Sequence, residues 1–180
     1  MLLGVGGKMA GAEQAEIVIN KEGIWLYNGQ PIVNKAIYLF FNQNLEYSSA
    51  GGYQVRVGAE VSPVAVEDTP FVVTDVVLVS GPEQGESFFK IQLNDETEEA
   101  LDLKSLSVGK DNVLYCAVKN GRFSARFLRP SYYRLTEHML QEGEGRFYIP
   151  LNGRKFFLEP FRFTAEHAVV PPDGTKARDS

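Results

Sequence analysis

Cysteine and histidine are almost absent from this sequence, and their scarcity excludes several kinds of site. Cys116 is the only cysteine, so no disulfide framework and no cysteine zinc cluster can form within the chain. The two histidines, His138 and His167, show neither His-x-x-His nor Glu-x-x-His spacing. We therefore expect no metal site and no cofactor.

Long apolar runs are also missing. No stretch approaches the roughly 18 residues that a membrane helix needs. The first eight residues have neither the basic start nor the long apolar core of a secretory signal. We expect a cytoplasmic protein with no membrane partner.

The charge is modest in total but unevenly distributed. A net charge of −5 argues against an electrostatic grip on nucleic acid, so we expect no nucleic-acid partner. Residues 1–112 carry seven Lys/Arg and sixteen Asp/Glu, whereas residues 113–163 carry nine and four. Either the acidic front half attracts the basic back half across their interface, or the basic surface meets an anionic ligand.

The chain repeats one order of landmarks. A tight turn, a helical stretch, a Gly-rich break and a hairpin follow Asn28-Gly29 and again follow Asn120-Gly121. Matched positions are 90 to 94 residues apart: Gly29 to Gly121, Gly52 to Gly145, Tyr53 to Phe147 and Pro70 to Pro160. This pattern predicts an α+β, mostly antiparallel fold with two related hairpin–helix–hairpin halves. The predicted divisions are a flexible segment 1–15, halves at 16–81 and 86–163, and a disordered tail 164–180.

The first half contains strong turn and helix signals. Asn-Gly between apolar runs is typical of a type I′ hairpin, which pairs residues 24–27 with 30–33. Asn34 is a candidate N-cap for a helix that we expect to reach Leu45. Its apolar face is predicted from the spacing of Ile37, Phe40, Phe41 and Leu45. Further strands are expected at 17–19, 53–57, 63–67 and 71–79.

The second half centres on a hairpin of residues 113–119 and 122–128. A two-residue turn at Asn120-Gly121 fixes its register and gives one apolar face, made of Leu114, Cys116, Val118, Phe123, Ala125 and Phe127. The opposite face carries Tyr115, Arg122 and Arg126. We expect both arginines to be accessible.

A helix and a final hairpin follow. Pro130 suits a first helical position, and the helix is predicted over residues 131–141, with His138 in its middle as an ordinary, partly exposed side chain. The hairpin of 146–151 and 154–159 turns at Asn152-Gly153. Since both of its faces are apolar, we expect it to be covered on both sides.

The sequence offers no catalytic constellation. Glu67 and Asp68 are adjacent, and neighbouring residues of a strand point to opposite faces, so they cannot act together on one bond. Cys116 falls on the core face of its hairpin, where a thiol is usually inert. We therefore do not expect an enzyme.

The strongest candidate site is basic and aromatic. Arginine side chains suit phosphate or carboxylate oxygens, an aromatic face can stack a base, and a helix N-terminus near Pro130 favours an anion. The candidate ligand-binding residues are Glu67, Asp68, Tyr115, Arg122, Arg126 and Arg129. The structural alternative is equally concrete: Arg126 and Arg129 could simply form ion pairs with Glu67 and Asp68.

Several of these segments match a known family. In the first half, the similar segments are Trp25, Asn28-Gly29, Gly52-Tyr53 and Val66-Glu67-Asp68-Thr69-Pro70-Phe71. In the second half, they are Tyr115, Ala125-Arg126, Arg129-Pro130 and Tyr132-Tyr133-Arg134-Leu135. Over about residues 17–140 the chain resembles the bacterial domain-of-unknown-function family 1285. The resemblance implies a duplicated β-rich core, a second half loosely like a pleckstrin-homology domain, and a nucleotide-like ligand site between the halves in signalling. It supplies no catalytic residues, and the chain extends beyond the resemblance after Phe163.

Two functions follow as expectations. The first is a cytoplasmic, non-catalytic module that binds a small anionic, nucleotide-like ligand between the halves. The second is a protein-interaction module that pairs a partner with an exposed sheet edge, as pleckstrin-like domains do.

Overall fold

A computed structural model describes residues 16–81 and 85–160. The predictions made for segments 1–15 and 164–180 lie outside these residues, as does most of the boundary predicted between the halves. The described chain is α+β and mostly strand, in antiparallel and mixed sheets, which confirms the predicted fold class.

The first sheet has the strand order β3-β2-β1-β6-β5-β4. Its members are β1 (Ile17–Ile19), β2 (Trp25–Tyr27), β3 (Gln30–Pro31), β4 (Leu45–Tyr47), β5 (Tyr53–Val57) and β6 (Glu60–Val66). Strand β1 pairs parallel to β6, and the other pairings are antiparallel. Asn28 and Gly29 have φ of 48° and 77°, both positive as a type I′ turn requires, so the first predicted turn is confirmed.

Helix α1 (Lys35–Gln43) begins where it was predicted, because Asn34 Oδ1 accepts hydrogen bonds from the Ala36 and Ile37 backbone N–H groups. Its predicted end is wrong. The chain leaves the helix at Asn44, and Leu45 starts β4, where it pairs with Val55 and is buried.

The predicted apolar face of α1 is also incorrect in part. Ile37 and Phe40 are each 44% exposed, whereas the buried member of the helix is Asn42. Asn42 can be buried because its side-chain oxygen accepts a hydrogen bond from the indole N–H of Trp25 at 3.2 Å. Phe41 packs against the same indole.

The second sheet has the order β16-β10-β11-β12-β7-β8-β9. These strands are β7 (Phe71–Val79), β8 (Phe88–Leu93), β9 (Glu98–Ala100), β10 (Ser107–Val108), β11 (Leu114–Val118), β12 (Phe123–Phe127) and β16 (Glu159–Pro160). β7 pairs antiparallel to β8 and parallel to β12, so this sheet takes strands from either side of the predicted boundary at 82–85.

The predicted register of the β11–β12 hairpin is confirmed. Val118 lies opposite Phe123, and Cys116 lies opposite Ala125. All members of the predicted core face are buried, and Phe123 and Phe127 are 6% and 4% exposed. On the other face the predicted accessibility of Arg126 is wrong in part, because Arg126 is half-buried beside the buried Tyr115.

Helix α2 (Arg129–Thr136) is shorter than predicted. After Glu137 the chain turns through hydrogen bonds from the His138 and Met139 N–H groups, so that residue 140 can join a third sheet; His138 therefore follows the helix and does not lie within it. That sheet has the order β13-β14-β15 and comprises β13 (Leu140–Glu142), β14 (Arg146–Leu151) and β15 (Arg154–Phe157).

The last hairpin has the predicted pairing but is not covered on both sides. Ile149 lies opposite Phe156 and is fully buried. Phe147 is 45% exposed, because only part of this hairpin packs against the core.

The two halves repeat one pairing pattern. β1 pairs antiparallel with β2 and parallel with β6, and β10 pairs antiparallel with β11 and parallel with β16. In each half the hairpin is followed by a helix and a three-stranded meander. One buried cluster contains Ile19, Phe71 and Phe123, so the halves share a core. Superposition of the halves, and the pleckstrin likeness of the second one, remain predictions.

Candidate functional site

A cleft of about 700 Å³ lies where loops of both halves meet the start of α2. Its volume is in the range of small-molecule sites. It is lined by Lys21, Glu22, Asp111, Asn112, Val113, Arg126, Phe127, Leu128, Arg129, Tyr132 and Tyr133.

The start of α2 is fixed firmly against the second sheet. The Leu128 N–H donates to the Val73 carbonyl, and the buried Ser131 hydroxyl lies 2.6 Å from the same oxygen. Pro130, with its fixed φ, occupies the first turn. No side chain caps the helix, so an anion placed here would complete its first turn.

Arg129 is the cation at this helix start that remains available. It is exposed, and its guanidinium forms no ion pair with residues 16–81 or 85–160. Its side chain lines the cleft together with Tyr132 and the exposed Tyr133, whose rings meet edge to face at 5.5 Å. A guanidinium beside two aromatic rings suits an anionic group attached to a flat or apolar one.

Arg126 also lines the cleft but is held from the first half. Its Nη1 donates to Asp68 Oδ2 at 2.7 Å, and its backbone N–H donates to the buried Thr69 hydroxyl at 3.0 Å. The Tyr115 hydroxyl donates to the same carboxylate, 3.1 Å from Oδ2. We call Asp68, Thr69, Tyr115 and Arg126 the seam clamp. The seam clamp explains why Arg126 is half-buried. The ion pair between Asp68 and Arg126 is one of those that the structural alternative predicted.

A second ion pair joins the acidic front of the chain to the basic back. Asp75 of β7 pairs with Arg134 of α2. With Asp68–Arg126, it supports the interpretation in which the uneven charge helps to close the interface. Arg129 lines the cleft and is not used by this interpretation, since it forms no ion pair with the described residues.

The clamp changes the acidity of a phenol. Burial, followed by the neighbouring Asp68 carboxylate, raises the pKa of Tyr115 to about 12. A group whose pKa is raised by folding stabilises the folded state below its unfolded pKa of about 10, and that contribution disappears as the pH rises towards 12.

We therefore expect Tyr115 to ionise late in an alkaline titration. Phenolate absorbance of the native protein should contain a component near pH 12, and Tyr115→Phe should reduce it, although burial also raises the pKa of Tyr53. The exposed Tyr27 serves as the control, because Tyr27→Phe should leave the late component in place. A late component of undiminished amplitude in Tyr115→Phe would contradict the assignment.

The remaining candidate residues lie outside the centre of the cleft. Glu67 is exposed and accepts the backbone N–H of Lys21 at 3.0 Å, so it orders a loop that lines the cleft. The exposed Arg122 guanidinium lies 5.5 Å from the Phe123 ring centre and does not line the cleft. Among the six predicted residues, the fold thus brings Arg126 and Arg129 to the cleft, with Asp68 and Tyr115 behind them.

Sequence reasoning missed the acidic side of the cleft. Lys21-Glu22 lies in the loop between β1 and β2, and Asp111-Asn112 lies in the loop between β10 and β11. These are equivalent loops in the repeated pattern, and in each a lysine precedes the acid: Lys21-Glu22 and Lys110-Asp111. Aligning the two halves residue by residue would have exposed this signal.

The thiol of Cys116 and the imidazole of His138 do not line the cleft. Burial raises the pKa of the Cys116 thiol far above its usual range. His138 packs edge to face on the Phe89 ring, with centres 5.0 Å apart. Within the described ranges, no group of three or more His, Cys, Asp or Glu side chains could hold a metal ion.

Solved structures share this architecture. A crystal structure of a DUF1285 family protein from Silicibacter pomeroyi DSS-3 matches with a TM-score of 0.64 and 22% identity, covering 81% of this chain and 80% of that one. A DUF1285 family protein from Shewanella baltica OS155 matches with a TM-score of 0.54 and 22% identity, covering 70% of this chain and 94% of that one. The chain has the fold of DUF1285 family proteins.

This DUF1285 fold confirms, at the level of structure, the resemblance found in the sequence. The family is one of unknown function by its own name, so the similarity supplies neither a ligand nor an activity. No protein-family model matches the chain, and no curated protein matches it. In the described part of the chain no helix is long and apolar enough to cross a membrane.

Proposed function

We propose that this protein is a non-catalytic, cytoplasmic binding module that takes a small anionic, nucleotide-like ligand in the cleft and serves in signalling. The observation that carries the proposal is Arg129. It is an exposed guanidinium at the uncapped start of α2, with no ion-pair partner among the described residues, in a cleft of ligand size.

The neighbours of Arg129 support an anionic ligand with an aromatic part. Arg126 is already oriented by Asp68, and an oriented guanidinium loses less freedom when it binds an oxygen. The rings of Tyr132 and Tyr133 offer surfaces on which a base can pack. Both features favour a ligand that joins a phosphate or carboxylate to a ring.

A binding role without catalysis is supported by the chemistry of the lining. The cleft contains arginines, tyrosines and two acids, while the thiol of Cys116 and the imidazole of His138 are packed elsewhere. This lining favours binding over catalysis by a thiol or an imidazole.

The alternative function, pairing of a partner strand with an exposed sheet edge, has weaker support. Among the described strands, the edges of the first two sheets are β3, β4, β9 and β16, which are two or three residues long. Two of them contain proline, Pro31 and Pro160, and β9 carries two glutamates. Short, charged or proline-containing edges discourage strand addition.

The proposal is tested by thermal unfolding with a panel of phosphates that includes inorganic phosphate and nucleoside monophosphates. A ligand at 100 times its Kd stabilises by about 2.7 kcal/mol, which raises Tm by roughly 5–10 °C for a chain of this size. Arg129→Ala should abolish the shift. Arg122→Ala removes an equal charge outside the cleft and should retain it.

Two results would contradict the proposal. The first is an unchanged Tm of the wild-type protein with every member of the panel. The second is a shift that survives Arg129→Ala at full size, since the anion would then bind elsewhere.

A further inference from the structure

The cleft combines charges of both signs, which limits the ligands that it can accept. Lys21, Arg126 and Arg129 supply three positive charges, and Glu22 and Asp111 supply two negative ones. Asp68 neutralises one of the cations, since it is bonded to Arg126. The cleft and its clamp are therefore close to neutral as a whole. The two arginines lie on β12 and α2, whereas the two acids lie on the β1–β2 and β10–β11 loops, the first of which also carries Lys21.

The two acids are available to a ligand. Asp111 forms no ion pair or hydrogen bond through its carboxylate with residues 16–81 or 85–160. Glu22 has only a distant contact with Lys21, whose Nζ lies 3.9 Å from Oε1, and both side chains are about half exposed or more. A pair this open and this long contributes little.

The acids also occupy equivalent places in the fold. Glu22 follows β1, Asp111 follows β10, and these strands make the same two pairings in their respective halves. The repeat thus brings one carboxylate from each half to the cleft that Arg126 and Arg129 also line.

A carboxylate only accepts hydrogen bonds, so it needs a donor from the ligand. We propose that the ligand carries one anionic group for Arg129 and Arg126 and, at its other end, hydroxyl or ammonium donors for Glu22 and Asp111. This inference rests on the proposed function and narrows it. Polyphosphates fit less well than a single phosphate, because their added charges would meet the two acids.

The test measures Kd for two pairs of phosphates by calorimetry. Glycerol 3-phosphate is compared with propyl phosphate, and phosphoethanolamine with ethyl phosphate; within each pair only the donor groups differ. Since a hydrogen bond to a charged group is worth about 1.5–3 kcal/mol, the preferred donor-bearing member should bind roughly tenfold tighter or more. Inorganic triphosphate should bind more weakly than either.

Asp111→Asn and Glu22→Gln identify the donor. Asparagine keeps an acceptor and tolerates the positive φ of 57° at position 111, so folding is preserved. If the donor is an ammonium, each substitution should remove most of the phosphoethanolamine preference. If the donor is a hydroxyl, part of the preference for glycerol 3-phosphate over propyl phosphate should remain in each amide variant, because an amide oxygen still accepts a hydrogen bond. Glu22→Ala should then remove the part of this preference that Glu22 provides. Glu60→Gln, an exposed acid outside the cleft, is the charge control.

The outcomes separate this inference from the proposed function. Equal affinity for both members of each pair overturns the inference and leaves anion binding intact. The same holds if Asp111→Asn, Glu22→Gln and Glu60→Gln tighten all phosphates alike, because the acids would then act only as general charge. Absence of binding by every phosphate contradicts the proposed function itself, and the inference with it.

Discussion

Phe127→Ala is expected to lower the free energy of unfolding by about 3–5 kcal/mol. Phe127 ends β12, is 4% exposed and belongs to the cluster shared by the two halves. Truncating it leaves a cavity that the sheet cannot close, because both neighbours of β12, β11 and β7, hold it in place. Urea denaturation measured by circular dichroism gives the value.

Phe147→Ala is the matched control. It removes the same side chain from a position that is 45% exposed, and we expect it to cost about 1 kcal/mol or less. Arg122→Ala should likewise change stability by well under about 1 kcal/mol, since Arg122 is exposed. Equal losses of stability for Phe127→Ala and Phe147→Ala would show that the β11–β12 hairpin does not bury Phe127.

The second large effect is expected at the seam clamp. Asp68→Ala leaves the Arg126 guanidinium and the Tyr115 hydroxyl without their shared acceptor, so it should cost roughly 1–3 kcal/mol. Arg126→Ala should cost a similar amount, because Asp68 is only 13% exposed. The double variant should cost less than the sum of the single ones by about 1 kcal/mol or more. Each value comes from urea denaturation.

An exposed ion pair provides the comparison for this cycle. Lys155 of β15 and Glu142 of β13 form an ion pair across β14, and their side chains are 49% and 46% exposed. Their coupling should stay below about 1 kcal/mol. Strict additivity at Asp68 and Arg126 would mean that the clamp does not connect the halves energetically.

The turns were predictable because their chemistry is local. A type I′ turn needs positive φ at both central residues, and Asn-Gly meets this requirement. A two-residue turn then fixes which residues face each other along the flanking strands. The pairing of Val118 with Phe123 and of Ile149 with Phe156 follows from this rule alone. Asn34 was recognisable as a cap for a similar reason, since its side chain bonds within three residues.

The ends of the helices were not predictable, because an apolar residue can extend a helical face or begin a buried strand equally well. Leu45 was assigned to α1 by spacing, yet its partner in the structure is Val55. No local sequence feature indicates that Leu45 will pair with β5. The burial of Asn42 depends in the same way on Trp25, 17 residues earlier.

The candidate site was predictable on its basic side only. Arg126 and Arg129 stand close together in sequence beside a helix start, so their pattern is visible directly. Glu22 and Asp111 come together through the parallel pairings of β1 with β6 and of β7 with β12, which join distant segments. Such pairings leave no mark in the local periodicity of a strand.

The central place of β7 has a consequence during synthesis. β8 follows it closely and can pair with one side, but β12 begins more than fifty residues after β7 does, so its other side stays open while the intervening chain is made. An open edge on a strand as apolar and β-branched as Phe71–Val79 is a template for aggregation. Asp75 is the charged residue of this strand, and the pairing with β8 shifts register beside it. The carboxylate that binds Arg134 in the folded protein thus also places a charge on this edge, and a charge within an apolar strand opposes aggregation.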